Sequence, residues 1–309
     1  MNIAVIYGGT SSERAFSEKN AHAVYESLIR SGHSARMINY DRDMLRTLMD
    51  EPPELVFLCV QGKYHGDGTL QAILDFLHIP YTGSQTAAAS VINDKIICKM
   101  IFDKYGNSTA DWFSLSKREY DSGTADLGQI GYPFVAKAPT QGLSFGIGLV
   151  KSPESHDKVN VAFEYDDPIL CESFIDGRAY TVGVLEDGDE LIALPCIEMR
   201  DRRIDRSDGL ILMNGDASAE IPDLDGSVIA EMQDMAKAVF REVGAHDYAR
   251  IDFMTDDSTG QVYILEINAV PGLNPDESFL PVEAEIAGME YDELIKHIIH
   301  SAERRYGLC

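Results

Sequence analysis

An α/β protein that opens on a parallel sheet is expected here, on three features of the chain. Short apolar runs of strand length alternate with amphipathic stretches over residues 1–88, the pattern of successive βαβ units. A turn carrying Gly8-Gly9 follows the first apolar run directly, at the place where open α/β sheets meet ligands. Further on, strand-like runs flank a glycine-rich turn at Gly142 to Gly148, and another pair flanks Asp256 to Gly260, as hairpins do.

Taken in order, Ile3 to Tyr7 reads as a strand, Ser17 to Ser31 as a helix, and Arg36 to Tyr40 and Leu55 to Val60 as strands. A helix from Thr69 to Leu77 precedes Pro80-Tyr-Thr-Gly83, and one helical segment covers Ala87 to Tyr105. Strands are expected at Phe134 to Ala138, Gly146 to Lys151, Pro168 to Phe174, Tyr180 to Leu185 and Leu191 to Ile197. An irregular charged stretch, Met199 to Asp225, leads to a helix over Ser227 to Val243, a hairpin over His246 to Ala269 and a helix near Tyr291 to Arg304. With 309 residues, 45% of them hydrophobic, the chain exceeds one ordinary core. Division into 1–88, 89–176 and 177–309 follows the changes of pattern.

Fifty-one acidic residues against 26 basic give a formal charge of -25, which argues against nucleic acid and anionic membrane as partners. An anionic ligand would need a local cluster of cations to reverse that field. No apolar run reaches membrane-spanning length, and Ile3 to Tyr7 is too short for a signal peptide, so the chain is expected in the cytosol. Five scattered cysteines without a Cys-x-x-Cys pair argue against disulfides and structural zinc.

The hairpin is the most informative segment. In Tyr248 to Met254 and Gln261 to Asn268 the odd positions Ala249, Ile251, Phe253, Tyr263, Leu265 and Ile267 are apolar, while Arg250, Asp252, Glu266 and Asn268 fall on even ones. Alternation with period two would gather the four polar residues on one face. Two carboxylates, an amide oxygen and a guanidinium suit magnesium with a cation beside it. A solvated face with an Arg–Glu cross-strand pair fits the same spacing.

Other segments carry weaker signals. Lys137 lies inside an apolar strand, where its ammonium needs a partner such as phosphate oxygens or snorkels out to solvent. The turn Gly142-Leu-Ser144-Phe-Gly146-Ile-Gly148 can bring N–H groups against those oxygens. The same turn superficially fits the Gly-x-Ser-x-Gly of a serine hydrolase, but a strand rather than a helix follows Ser144. Lys95 and Lys99, one helical turn apart, can share a face; a solvated basic edge is the better reading of Lys99 on spacing. Glu172, at the end of an apolar strand, fits a purine contact or an ordinary connector equally.

In this order the segments resemble the D-alanine:D-alanine ligase family over nearly the whole chain. The matching strings are Gly8-Gly-Thr-Ser-Ser-Glu13-Arg14 with Ser17, Gly66-Asp-Gly-Thr-Leu-Gln71, Ile79-Pro-Tyr-Thr-Gly83, Asp94-Lys95, Arg250-Ile-Asp252 and Glu266-Ile-Asn-Ala-Val-Pro-Gly272. The resemblance implies an ATP-grasp fold preceded by a Rossmann-like open-sheet domain. It implies ATP and two magnesium ions, with manganese as a substitute, and small amino acids as substrates; a homodimer is the assembly to test. By the same resemblance Asp252, Glu266 and Asn268 hold the metal ions, Lys95 and Lys137 contact phosphates, Ser144 lies in the glycine-rich loop over them, and Glu172 with the Phe174 to Ile175 backbone receives adenine. Glu13 binds the first amino acid's ammonium, Arg250 and the Gly272 N–H stabilise an oxyanion, and Ser278 orients the second amino acid.

Departures from the family pattern cluster around the amino acids. Gln61 stands for a histidine, Gly66 for a glutamate, Leu143 for a serine and Ala179 for a ribose-binding glutamate, and Met199 to Asp216 holds no Lys-Tyr pair. ATP chemistry is expected intact apart from the ribose contact, and amino-acid choice altered. A related ligase with another amino-acid pair, or one that closes a ring, is the alternative. A nicotinamide oxidoreductase would fit the first βαβ unit but not the oxygen-rich hairpin, and a nucleotide sensor would bind ATP without amino-acid-dependent turnover.

Overall fold

The computed structural model describes residues 1–10, 13–142, 145–200 and 218–308. Strands β1 (Asn2–Tyr7), β2 (Ser34–Asn39) and β3 (Leu55–Leu58) form a parallel sheet in the order β2-β1-β3, with helices α1 (Arg14–Arg30) and α2 (Met44–Asp50) as the crossovers. β1 and β3 are nearly continuous apolar runs because helices cover the sheet on both faces. Helix α3 (Thr69–Leu77) has the expected bounds.

The helical segment expected over residues 87–105 is two helices, α4 (Thr86–Asn93) and α5 (Lys95–Tyr105). Asp94 between them is extended, at ψ 105, and its carboxylate accepts from the N–H groups of Ile96 and Ile97, which caps α5 and sets Lys95 as its first residue. A four-stranded antiparallel sheet follows, β4-β7-β5-β6, from β4 (Trp112–Leu115), β5 (Phe134–Lys137), β6 (Ile147–Val150) and β7 (Ile169–Ser173), with α6 (Lys117–Ser122) and α7 (Asn160–Phe163) in its connections.

The largest sheet is built on the long strand β8 (Gly177–Asp187), in the order β11-β10-β8-β12-β13 with β9 also on β8. The single strand expected over residues 191–197 is instead β9 (Glu190–Ala193) and β10 (Ile197–Arg200), divided around Pro195, which has no N–H for a ladder. β11 (Ser218–Glu220) continues the edge. Helix α8 (Gly226–Glu242) packs Met232, Ala236, Val239 and Phe240 on one face of this sheet, against Val182, Val184, Ile251 and Phe253. β12 (Tyr248–Asp256) and β13 (Val262–Asn268) form the hairpin, followed by α9 (Phe279–Ile286) and α10 (Tyr291–Tyr306).

α10 packs against both the first sheet and the last, so Leu294, Ile298 and Ile299 share one core with Ile3, Val5, Phe57 and Tyr248. Its end is pinned by Arg305, which donates to Asp247 Oδ2 at 2.7 Å and to the carbonyl oxygens of Tyr81 and Gly83 at 2.9 and 3.1 Å. Four described cysteines, Cys59, Cys98, Cys171 and Cys196, are buried thiols. No helix among the described residues is long and apolar enough to cross a membrane.

Candidate functional site

The hairpin register decides what the site contains. Arg250 opposes Asn268 and Asp252 opposes Glu266, which gathers the four polar side chains on one face as their spacing requires. A β-bulge lies beyond that pair: Phe253 opposes Ile264, leaving Leu265 as the extra residue. The apolar set expected at Tyr263 and Leu265 therefore moves to Val262 and Ile264, both buried, and the strand re-enters phase at Glu266.

On that face Arg250 donates from Nε and Nη2 to Asp252 Oδ1 and Oδ2, both at 2.9 Å. Thr181 Oγ1, on β8 opposite Asp252, donates to Oδ1 at 2.7 Å, and Asn268 Nδ2 donates to Oδ2 at 3.1 Å. Arginine thus pairs along its own strand and not across to Glu266. Glu266 Oε2 instead meets Lys95 Nζ at 3.1 Å, and Lys95 also donates to the Gln141 carbonyl at 2.9 Å. Burial opposes ionisation of Glu266, but Lys95 first and then Lys137 hold its carboxyl below the usual range.

These groups line a cleft of about 490 Å³ that also contains Glu13, Gly142, Gly272 and Ser278. Glu13 immediately precedes α1 and is buried; burial pushes its carboxyl up to about 7, Lys95 lowering it and Glu266 raising it by smaller amounts. Gly142 lies so close that a Cβ there would come within 2.6 Å of Glu13 Oε1, so glycine lets the loop after β5 close onto Glu13. Gly272 and Ser278 also adjoin: a Cβ on Gly272 would lie 2.4 Å from Ser278 Oγ, a buried hydroxyl with no hydrogen-bond partner among the described residues. Ser144 and Leu143 lie outside the described residues, as does most of Met199 to Asp216.

Lys137 has a partner that its sequence context did not suggest. Its ammonium is paired with Glu172, whose other oxygen meets Lys99 Nζ at 2.8 Å. Lys99 is therefore a buried member of an ion triad, 1% exposed, and not the solvated edge expected from its helix. Burial alone would raise Glu172; the two ammoniums, Lys137 first, hold it down to about 2. The Phe174 N–H donates to the Pro133 carbonyl at 3.1 Å. Lys95 and Arg250 thus line the cleft, and Lys137, which acts on Glu266, and Lys99 are joined through Glu172 behind them.

The amino-acid end departs from expectation in an informative way. Gln61 Nε2 donates to the Val270 carbonyl at 2.6 Å and so holds the segment after β13. At Gly66 a Cβ would lie 2.7 Å from the Val60 carbonyl oxygen, so no glutamate fits this backbone. His65, not picked out from sequence, is buried against the Gly8 to Thr10 turn; its Nε2 accepts from the Thr10 N–H at 2.9 Å and its Nδ1 faces the Lys63 carbonyl at 2.6 Å. Those partners fix the neutral tautomer with hydrogen on Nδ1. Thr181 was likewise missed, since nothing in one strand tells which side chains a neighbouring strand brings alongside.

Residues 101–300 match the family model described as D-ala D-ala ligase C-terminus. A D-alanine–D-alanine ligase of Citrifermentans bemidjiense is 35% identical over 307 residues, covering 97% of this chain and 95% of its own. The Geobacter sulfurreducens enzyme of that name is 32% identical over 307 residues, covering 97% and 94%. Among solved structures, the D-alanine–D-alanine ligase of Bacillus anthracis complexed with ATP superposes with a TM-score of 0.83 at 28% identity, covering 100% of this chain and 99% of that one. Full-length likeness at this level, joined to the polar row on β12 and β13 and the cations that face it, makes the chain a member of the D-alanine–D-alanine ligase family.

Proposed function

We propose that the chain is an ATP-dependent carboxylate–amine ligase that joins two D-alanines through an acyl phosphate. The observation that carries this reading is the polar row Arg250, Asp252, Glu266 and Asn268, facing Lys95 on one side and Glu13 across the cleft. In this reading 1–88, 89–176 and 177–309 are three functional units, each carrying one sheet.

Magnesium is tested by the chemistry of the donors. Among the described residues no three His, Cys, Asp or Glu side chains are grouped to hold a metal. Asp252 and Glu266 add two carboxylates, and the Asn268 amide, whose nitrogen is spent on Asp252, has its oxygen left for a cation. Such a set fits magnesium, which keeps further positions for water and phosphate oxygens. When bound there the metal would neutralise charge on the phosphates.

Each cation of the site now holds a carboxylate: Lys95 with Glu266, Lys137 with Glu172, Arg250 with Asp252. Lys95 and Lys137 can turn to phosphate oxygens because Glu172 retains Lys99 and Glu266 would hold a magnesium ion in place of Lys95. Lys137 is the ammonium Glu172 releases more readily, being 15% exposed where Lys99 is 1%. Glu172 and the Phe174 to Ile175 segment face the purine. Glu13 receives the ammonium of the first amino acid and carries its charge only once deprotonated. Arg250 and the Gly272 N–H face the oxygen on which negative charge develops as the amine adds to the acyl phosphate, and Ser278 Oγ, which has no partner among the described residues, orients that amine's carboxylate. Glu266→Ala or Asp252→Asn is expected to leave a folded protein whose turnover falls by ~100-fold or more. Near-parental ADP release by either variant would refute the assignment.

A further inference from the structure

Directly beside Arg250, β8 carries Gly183. A side chain there would share the face of Arg250 and Asp252, because opposed residues of antiparallel strands point to one side. Glu283 of α9 takes that space instead. A Cβ built on Gly183 would fall 2.6 Å from Glu283 Oε2 and 2.4 Å from Leu280 Cδ1. Glu283 is 0% exposed, and neither carboxyl oxygen has a well-formed hydrogen-bond partner among the described residues. The Gly183 N–H is the nearest donor, and the charged or titratable groups around it are Arg250 and Asp252 on β12 and Cys196 between β9 and β10.

For stability alone this arrangement is a poor one. A buried, unpartnered carboxyl is disfavoured, and an apolar side chain of similar length would pack there at lower free energy. Such costs are tolerated where activity gains from them. Arg250 is the neighbour through which it can gain: its guanidinium is held on two nitrogens by Asp252, lies 5.5 Å from the centre of the Phe279 ring, and its strand position is opposite Gly183, whose side-chain space the Glu283 carboxyl fills.

We propose that Glu283 is a positioning residue that acts through Arg250. Its carboxyl fills the Gly183 place and keeps the guanidinium aimed into the cleft when Asp252 turns to other partners, at a cost to fold stability. This rests on the reading of Arg250 as the group that faces the developing oxyanion.

The test is Glu283→Met, an apolar chain of similar length, beside Glu283→Gln. The Met variant is expected to keep or raise Tm, to lose about tenfold or more in kcat for D-alanine-dependent ADP release, and to hold its KM for ATP within about twofold. Glu283→Gln, which keeps the shape and a polar end, recovers most of kcat. A residue that merely supports the fold would move Tm and kcat downward together. The proposal is overturned if kcat of the Met variant stays within about twofold of the parent, if its Tm falls with kcat, or if Gln does no better than Met. A parent that releases no ADP with D-alanine would overturn the ligase reading and this inference with it, whereas an active parent with an unaffected Met variant overturns this inference alone.

Discussion

Glu172→Gln removes the carboxylate shared by Lys99, which is buried, and Lys137, which is partly so. The change keeps the side chain's shape but leaves Lys99, 1% exposed, and Lys137 facing each other without the carboxylate that pairs with both. Two routes give the size of the loss. The fall of Glu172 from 4.5 to about 2 corresponds to about 3 kcal/mol of folded-state stabilisation, and breaking one member out of a buried ion pair costs about 3–5 kcal/mol. Since domains are stable by only about 5–15 kcal/mol, the effect is large. The sign with pH follows: a depressed carboxyl contributes its stability above 4.5 and loses it as pH falls through about 2, so parent and variant converge in acid. The protein supplies its own probe. Its single tryptophan, Trp112, pairs with Glu172 across β4 and β7, so fluorescence during urea unfolding reports on this sheet. With a slope of about 3 kcal/mol per molar urea, the midpoint should fall by about 1 M. Lys137→Ala, which spares the Lys99–Glu172 pair, should lose less stability yet weaken ATP binding. A midpoint shift below about 0.3 M for Glu172→Gln would mean that the triad is not the charged cluster described here.

Glu13, raised to about 7 by burial, binds the extra proton in the folded state between 4.5 and about 7; its contribution to stability therefore declines as pH rises through that window, and Glu13→Gln should abolish this slope. Because the anion receives the ammonium, the KM for D-alanine should fall as pH rises toward about 7, and Glu13→Gln should raise that KM about tenfold and flatten its pH profile while ATP affinity holds; equal losses for both substrates would point to a structural role. Gly142→Ala brings a Cβ to within 2.6 Å of Glu13 Oε1, so it should raise the D-alanine KM more than it changes that for ATP, and an unchanged KM would show that this loop does not close on Glu13.

Period two made the polar face of the hairpin legible: Arg250, Asp252, Glu266 and Asn268 stand on even positions and the register keeps them together. The bulge at Leu265 was not legible, because no glycine or proline marks it and the apolar pattern reads equally well through it. Lys99 was misread for a different reason. Its helix suggests an exposed edge, and only the tertiary approach of β7 brings Glu172 to it. The break at Asp94 could have been read from its capping side chain, and that at Pro195 from the missing N–H. β4 and α9 were missed, one a short edge strand and the other a helix with Pro281 in its first turn. Thr181, His65 and Glu283 reach the site from other elements, and no local pattern announces such neighbours.

The central claim is that the cleft runs ATP-driven amino-acid ligation, and the most direct measurement is ADP release at saturating ATP with D-alanine present or absent, in magnesium. The account predicts release that depends on D-alanine and yields a dipeptide. ATP binding with no D-alanine-dependent ADP release would contradict it and identify the cleft as a nucleotide sensor.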